Sequence, residues 1–159
     1  MGGGLFRGVS SINLDVKGRL AIPTRYRPEL QDCCDCQLVV TVAVDEKGSG
    51  EEGCLWLYPL PEWEKGEQTV INLPSLNKDA GKLRRFLIGY ATECEMDAQG
   101  RILLSDKLRQ FAKLEKQVVL LGQLNKFEIW NESTWQTNET DWLESGSEDA
   151  SEVLASISF

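Results

Sequence analysis

Two short segments place an arginine directly after a turn that begins at an aspartate. Asp15-Val-Lys17-Gly18-Arg19 is followed 82 positions later by Asp97-Ala-Gln-Gly100-Arg101. Aspartate suits the first position of a type I turn, because its carboxylate accepts a backbone N–H two residues on. Glycine adopts a positive φ at the fourth position at little cost. Asp15, Gly18, Asp97 and Gly100 are therefore predicted to shape two similar turns.

The arginine that follows each turn has two possible uses. It can form an ion pair with the aspartate of its own turn, which is worth about 0–1 kcal/mol when exposed. It can instead project its planar guanidinium toward a phosphate or a guanine, where two parallel N–H groups bind one partner. Asp15 and Asp97 could also form a carboxylate pair, but each fits its turn without that role.

The two turns belong to a longer internal repeat, which predicts the elements that position them. Each copy predicts a strand, the turn, a short strand, a short helix, two further strands and a last helix. Thr24 and Ser105 are candidate caps of the short helices, and Ser75 is a candidate cap of a connecting helix at 75–87. The predicted ranges are 6–14, 19–22, 24–30, 38–44, 54–58 and 61–71, then 86–96 (with 84–87 alternatively helical), 101–104, 106–112, 118–121, 126–130 and 132–144.

Composition excludes several classes of protein. The chain has no histidine, so Ser-His and Cys-His nucleophilic sites are excluded, and no Gly-rich phosphate loop is present. Cys33, Cys34 and Cys36 form a cluster without a second close cysteine pair, which makes a four-ligand zinc site hard to assemble; a loop is the simpler reading. We expect no enzyme activity, cofactor, metal or small-molecule substrate. The lack of a signal-peptide core and of a long apolar run predicts a cytoplasmic protein without membrane contact.

The net charge of −8 is distributed unevenly along the chain. Residues 1–30 carry a net +3, residues 131–159 carry seven acids and no Lys or Arg, and the middle carries −4. Screening limits the influence of a surface charge to roughly 8–10 Å at physiological salt. A basic face can therefore bind nucleic acid on an acidic protein if the acidic end points elsewhere.

The two turn motifs and their surroundings resemble a known family. The turn pattern, with the apolar residues and proline that follow it, resembles the AbrB-type swapped-hairpin DNA-binding fold. The whole combination, from about Leu5 to Trp142, resembles the MraZ family. The motifs are Phe6-Arg7-Gly8, Leu14-Asp15-x-Lys17-Gly18-Arg19, Ile22-Pro23, Tyr58-Pro59-Leu60-x-x-Trp63, Met96-Asp97-x-x-Gly100-Arg101 and Asn125-Lys126-Phe127-Glu128-Ile129-Trp130.

The resemblance implies an α+β fold. Two pseudo-symmetric AbrB/MraZ-like swapped-hairpin half-units, 5–70 and 86–144, would form one mostly antiparallel, β-barrel-like domain with short helices. Residues 71–85 would be a connecting helix, 1–4 a cloning remnant or unstructured lead, and 145–159 an acidic, flexible tail whose last apolar residues can dock. The aromatic residues Trp56, Trp63, Trp130 and Trp135 are expected in the core or in subunit contacts.

The resemblance also implies a function. Members of this family are bacterial regulators that repress the division and cell-wall operon, including their own gene. They bind short direct repeats in its promoter, assemble into rings and associate with the nucleoid. Arg19 is then the leading contact to double-stranded DNA, and Arg27 matches a DNA-contacting position of AbrB-like half-units. Further candidates are Lys17, Arg25, Arg7, Arg101 and Arg109.

The second copy departs from the first at two positions of the motif. Ser105 replaces the proline at position 23, and Gln99 replaces Lys17, so the second copy is less basic and is expected to serve the core or ring contacts more than DNA. Two other functions stay open: an oligomeric scaffold for protein partners, and an AbrB-like antitoxin, which usually carries a single half-unit and a toxin-binding tail.

Overall fold

The computed structural model describes residues 5–45, 53–74, 76–145 and 148–157, so the prediction for residues 1–4 lies outside the described part. The strands are β1 (Phe6–Asn13), β2 (Arg19–Ala21), β3 (Gln37–Val42), β4 (Leu55–Pro59), β5 (Thr92–Glu95), β6 (Arg101–Leu103), β7 (Gln117–Leu124) and β8 (Phe127–Asn131). The helices are α1 (Arg27–Cys34), α2 (Leu60–Ile71), α3 (Lys78–Leu83), α4 (Asp106–Phe111), α5 (Glu132–Glu144) and α6 (Glu148–Ser156). A 3₁₀ turn at Thr24–Tyr26 precedes α1, and a π-helical turn at Arg84–Ile88 follows α3.

The first strand of each repeat pairs with the other repeat. Six strands form one antiparallel sheet in the order β1-β7-β8-β4-β3-β5. In it, β1 of the first copy pairs with β7 of the second, and β5 of the second copy pairs with β3 of the first. Each copy has therefore exchanged its leading strand with the other, as the swapped-hairpin resemblance implies. The predicted α+β, mostly antiparallel fold is confirmed, but the sheet is open and ends in β1 and β5 instead of closing into a barrel.

A second, two-stranded sheet crosses between the repeats. Strands β2 and β6 pair antiparallel, with Leu20 opposite Ile102, and these two residues are equivalent in the repeat. The pseudo-two-fold axis therefore passes between them. Two cross-repeat hydrogen bonds extend the pairing, because Ile22 donates its N–H to the carbonyl of Gly100 and Leu104 donates to that of Gly18, each at 2.8 Å.

The main core lies between the six-stranded sheet and the β2–β6 pair. Leu20 and Ile102 are fully buried in it, together with Leu30 from α1 and Leu108 from α4. Strand β3 reads Gln-Leu-Val-Val-Thr-Val and is buried along almost its whole length, because it is covered on both faces. The expectation that the tryptophans lie in the core is met by Trp63, Trp130 and Trp135, which are buried.

The helix after β2 is longer than the predicted range 24–30. A 3₁₀ turn leads into α1, whose first turn holds Pro28, where no backbone N–H is needed. The helix ends at Asp35, whose left-handed backbone (φ 53°) lets the N–H of Cys36 reach the carbonyl of Leu30. Consequently Cys33 lies in the last turn of a helix, and the expectation of a loop there was wrong.

Of the predicted caps, Ser105 is confirmed and Thr24 is wrong. The hydroxyl of Ser105 accepts the N–H of Leu108 at 3.3 Å at the start of α4. Thr24 makes no such bond, because the first copy enters its helix through Pro23 and the 3₁₀ turn. Ser75 lies outside the described residues; the side chain of Asn77 caps α3 instead.

The connecting segment is helical over a different range from the predicted 71–85. Helix α2 ends at Ile71, and α3 with its π-helical turn runs from Lys78 to Ile88. The guanidinium of Arg84 holds the two together by donating to the carbonyls of Val70 and Leu73, at 3.2 and 3.0 Å. The strand predicted at 86–96 is therefore shortened to β5, and the helical alternative for 84–87 is the correct one. The half-unit boundaries at 70, 85 and 144 stay predictions.

The acidic C-terminal segment contains a helix where a flexible tail was predicted. Helix α6 covers Glu148–Ser156, and its described side chains from Glu152 onward are exposed. The apolar residues Val153, Leu154 and Ile157 therefore do not dock on the described part of their own chain. Within the described residues, no helix combines the length and apolarity that crossing a bilayer requires.

The cross-repeat pair gives a first prediction. Leu20→Ala removes a fully buried side chain from the pseudo-two-fold axis, and should lower the free energy of unfolding by about 2–5 kcal/mol. Leu103→Ala, in the same two-stranded sheet but on its exposed face, should change it by less than about 0.5 kcal/mol. Urea unfolding followed by circular dichroism measures both. Equal losses for the two variants would contradict the placement of the core between the sheets.

Candidate nucleic-acid interface

The turn between β1 and β2 is organised by one carboxylate. Asp15 Oδ1 accepts the backbone N–H groups of Lys17 and Arg19, each at 2.9 Å. Two backbone bonds close the hairpin, from Gly18 to the carbonyl of Asp15 and from Asp15 to that of Arg19. Gly18 has a φ of +87°, a conformation that residues with a Cβ rarely adopt. The turn-shaping roles predicted for Asp15 and Gly18 match this geometry.

The same carboxylate fixes the orientation of Arg19. Asp15 Oδ2 accepts the Nε–H of Arg19 at 2.7 Å, so the ion pair is formed through the inner edge of the guanidinium. Within the described residues, the two Nη groups of Arg19 have no hydrogen-bond partner, and about a third of its side chain is exposed. The two readings of this arginine are therefore compatible, because the local pair leaves the forked end of the guanidinium available.

The second turn repeats this arrangement. Asp97 accepts the backbone N–H groups of Gln99 and Arg101 at 2.9 Å, and the Nε–H of Arg101 at 3.1 Å. Here one Nη also reaches the amide oxygen of Gln99 at 3.5 Å, where the first copy has a lysine. Gly100 has a φ of +76°. The second hairpin thus offers one cation fewer and a less free guanidinium.

Both arginines lie on the outward face of the β2–β6 sheet. Arg19 is opposite Leu103 and Arg101 is opposite Ala21, while Leu20 between them points into the core. Alternation along a strand therefore puts both guanidinium-bearing residues on one face, as diagonal neighbours roughly 7–8 Å apart at Cα. Ala21 and Leu103, which share this face, were not predicted as site residues, although strand alternation in the sequence would have indicated them.

Arg27 and Arg109 hold the opposite repeat's turn. Arg27 donates its Nε–H to the carbonyl of Ile22 at 2.8 Å, and its side chain lies against Gly100, where even a Cβ would collide with it. Arg109 donates to the carbonyl of Leu104 at 3.2 Å and lies against Gly18 in the same way. Arg109 also forms an ion pair with Asp106, whereas the equivalent residue of the first copy, Thr24, carries no charge. Arg27 and Arg109 are both half-buried, and their contacts mainly support the turns.

The remaining candidates lie on β1, at the tip of the first turn and in the 3₁₀ turn before α1. Arg25 donates to the hydroxyls of Ser10 and Tyr26, at 2.6 and 2.8 Å, and lies over the Tyr26 ring. Arg7 and Lys17 are exposed. Ser10 and Tyr26, which orient Arg25, were missed: Ser10 belongs to β1 and is brought to Arg25 only by the fold, whereas Tyr26 is the next residue of the same 3₁₀ turn. Among the candidate DNA contacts, the exposed ones all come from the first repeat.

Hydrogen bonding changes the pKa values of the two turn aspartates. The backbone N–H of Arg19, then its side chain and the N–H of Lys17, lower the pKa of Asp15 from its ordinary 3.8 to about 2. The same set from Arg101 and Gln99 lowers the pKa of Asp97. Both carboxylates are therefore charged at neutral pH and hold the arginines in place. Among the residues that the structure describes, no cluster of three or more Cys, Asp or Glu side chains is placed to bind a metal.

Comparison with known proteins finds one family. Its profile, described as "MraZ protein, putative antitoxin-like", matches residues 5–86 and again residues 87–156. A protein from Methylococcus capsulatus is 52% identical over 159 residues, covering 98% of this chain and 100% of its own. One from Thioalkalivibrio sulfidiphilus is 49% identical over 156 residues, covering 97% and 99%, and one from Haemophilus influenzae is 52% identical over 143 residues, covering 90% and 91%. All three are named transcriptional regulator MraZ.

The turn geometry predicts how the Asp15 carboxyl titrates. Its folded pKa lies below its unfolded value, so its contribution to folding is complete above about pH 5 and is lost as the pH falls through about 4 to 2. In Arg19→Ala the pKa of Asp15 should rise only part of the way to 3.8, because the backbone donors remain. The side-chain carboxyl signal in an NMR titration measures this. Arg101→Ala is the matched control and should move Asp97 alone; a complete return of Asp15 to 3.8 in Arg19→Ala would contradict the backbone origin.

Proposed function

The chain belongs to the MraZ family, and from this membership we propose that it represses its own division and cell-wall operon by binding short direct repeats in the promoter. The relatives are named transcriptional regulators, and regulation of transcription implies DNA as the partner. We also propose that it acts in the cytoplasm, associated with the nucleoid, and that it has no catalytic role. The observation that supports DNA binding most directly is the outward face of β2–β6, which carries two oriented guanidinium groups.

The geometry supports base recognition by Arg19. Its Nε is held by Asp15, while its two Nη groups are without a partner in the described part of the chain. A guanine presents two acceptors in the major groove, and a guanidinium fork binds both at once. Because the orientation is fixed before DNA arrives, little side-chain freedom is lost on binding. Arg19 is therefore assigned the base contact, and Arg7, Lys17 and Arg25 the phosphate contacts.

The two hairpins are not equivalent in this proposal. Lys17 of the first copy corresponds to Gln99 of the second, and Arg109 of the second copy is paired with Asp106. The first hairpin therefore carries most of the affinity, and the second contributes Arg101 at the edge of the same face. Arg27 and Arg109 act on DNA mainly by keeping the opposite turn in shape.

We propose that the chain assembles into a ring, which compensates for the small size of the DNA-binding face of one subunit. One subunit offers few phosphate contacts, so its affinity for a single site is modest at cellular salt. Several linked subunits that face evenly spaced repeats raise the effective concentration at the second and later sites. We therefore assign the ring the role of converting weak single-site binding into strong binding of a repeated promoter.

Substitution of Arg19 tests the base contact. Arg19→Ala should weaken binding to the promoter repeat by about 5- to 150-fold per site, the loss expected for one bidentate pair, and should abolish discrimination against a scrambled repeat. Fluorescence anisotropy at fixed salt measures both, and the elution volume checks the assembly. The matched control is Lys65→Ala, an exposed cation on α2 that pairs with Glu62. Unchanged specificity in Arg19→Ala, with an intact elution volume, would refute the assignment.

The number of repeats tests the role of assembly. DNA fragments with one, two, three and four direct repeats should show steeply rising affinity in gel shifts, because each added repeat engages a subunit already held nearby. The affinity should also fall steeply with salt. Equal affinity for one and four repeats would exclude the avidity mechanism. A chain that is not retained on promoter DNA at low salt would favour a protein-interaction scaffold.

A further inference from the structure

An apolar groove lies between the end of α2 and the π-helical turn. Its walls come from Val70, Ile71, Ile88 and Gly89, and its volume is about 550 Å³. Ile71 is 59% exposed at the C-terminal end of α2. Because Arg84 binds the last carbonyls of α2, the two walls are held together before anything occupies the groove.

An apolar stripe is exposed near the C-terminal end of the described chain. Val153 and Leu154 of α6 are 61% and 60% exposed, and Ile157 just beyond it is 47% exposed. Ile157 follows Val153 by four residues and Leu154 by three, the two spacings that make side chains neighbours along a helix. Such a stripe on a short helix is stabilised by packing against a partner. In the described structure, the side chains of residues 152–157 are all exposed and none of them lines the groove.

The charges of the groove and of the helix are opposite. Residues 78–88, which form one wall, carry a net +3 from Lys78, Lys82, Arg84 and Arg85 against Asp79. Residues 145–157 carry three acids and no base. Arg85 on the rim is exposed and has no ion pair within the described residues. The acid among the lining residues, Glu67, already accepts the indole N–H of Trp63 at 3.1 Å.

We propose that α6 of one copy docks in the groove between α2 and the π-helical turn of a second copy. Val153, Leu154 and Ile157 enter the apolar walls, and Glu152 of α6 faces the basic segment 78–88. The inference rests on the proposed self-assembly and names the contact that joins neighbouring copies. Because helix and groove are different surfaces of the same chain, the contact is head-to-tail and can close into a ring.

Two variants with opposite defects test the contact on the full chain. Leu154→Asp disables the helix, and Ile71→Asp disables the groove; both side chains are exposed, so neither change should unfold the protein. Sedimentation velocity should show the wild-type assembly falling several-fold in mass, toward the single chain of 17.8 kDa, in either variant. Leu76→Asp, at a 97% exposed position outside the groove, is the matched control and should assemble as wild type. Should Ile71→Asp fail to fold, Arg85→Glu on the exposed rim replaces it.

Mixing the two variants identifies the occupant. The Leu154→Asp chain keeps its groove and the Ile71→Asp chain keeps its helix, so an equimolar mixture should form dimers of one chain of each kind. A mixture that sediments as the sum of its components, single variants of wild-type mass, or a wild-type chain that is monomeric would each overturn the inference. Binding of both variants to a one-repeat DNA should be unchanged. Loss of that binding with the assembly intact would count against the proposed function instead.

Discussion

The pairing of Leu20 with Ile102 across the pseudo-two-fold axis is the constraint on which the rest of the structure depends. Among the described residues, β2 and β6 pair with no strand of their own repeat; each has there only the hairpin bond to its first residue, and β2 also a bridge at Leu14, so most of their backbone groups pair with the other copy. Their crossing buries the two central side chains and turns the alternate positions outward. The core and the arginine-bearing face are thus two sides of the same pair of short strands.

The two turns orient the arginine side chains on the outward face of the β2–β6 sheet. In each aspartate, one carboxylate oxygen accepts backbone N–H groups and the other accepts an arginine Nε–H. One carboxylate therefore fixes both the hairpin and the guanidinium. An arginine without this pair would be mobile and would have to be ordered on binding, at an entropic cost. An acidic chain can present a local basic surface because residues 131–159 carry seven acids and no Lys or Arg, while residues 1–30 carry a net +3.

Local sequence patterns predicted the elements better than their pairing. The Asp-x-x-Gly-Arg turns, α2, α4 and α5 follow from turn chemistry, caps and periodicity, which are short-range. The exchange of β1 and β5 between repeats is a long-range choice, and only the family resemblance indicated it. The roles of Arg27 and Arg109 could not be predicted for the same reason. Arg27 supports a glycine about 73 positions away, and Arg109 one about 91 positions away. The end of α1 was missed because it depends on a left-handed backbone at Asp35, a residue type that rarely adopts it. The range of α3 was missed because Arg84 joins it to the end of α2 through bonds to residues 11 to 14 positions away.

Duplication within one polypeptide has a consequence for orientation. Two identical half-units related by a true dyad would meet a duplex equally well in either direction, and palindromic sites suit them. Here the halves have diverged, with Lys17 opposed by Gln99 and Arg109 neutralised by Asp106. In the proposed function, each copy would therefore have a strong and a weak end and would sit on DNA with a defined polarity. Successive subunits pointing the same way are what sites arranged in tandem, instead of inverted, require.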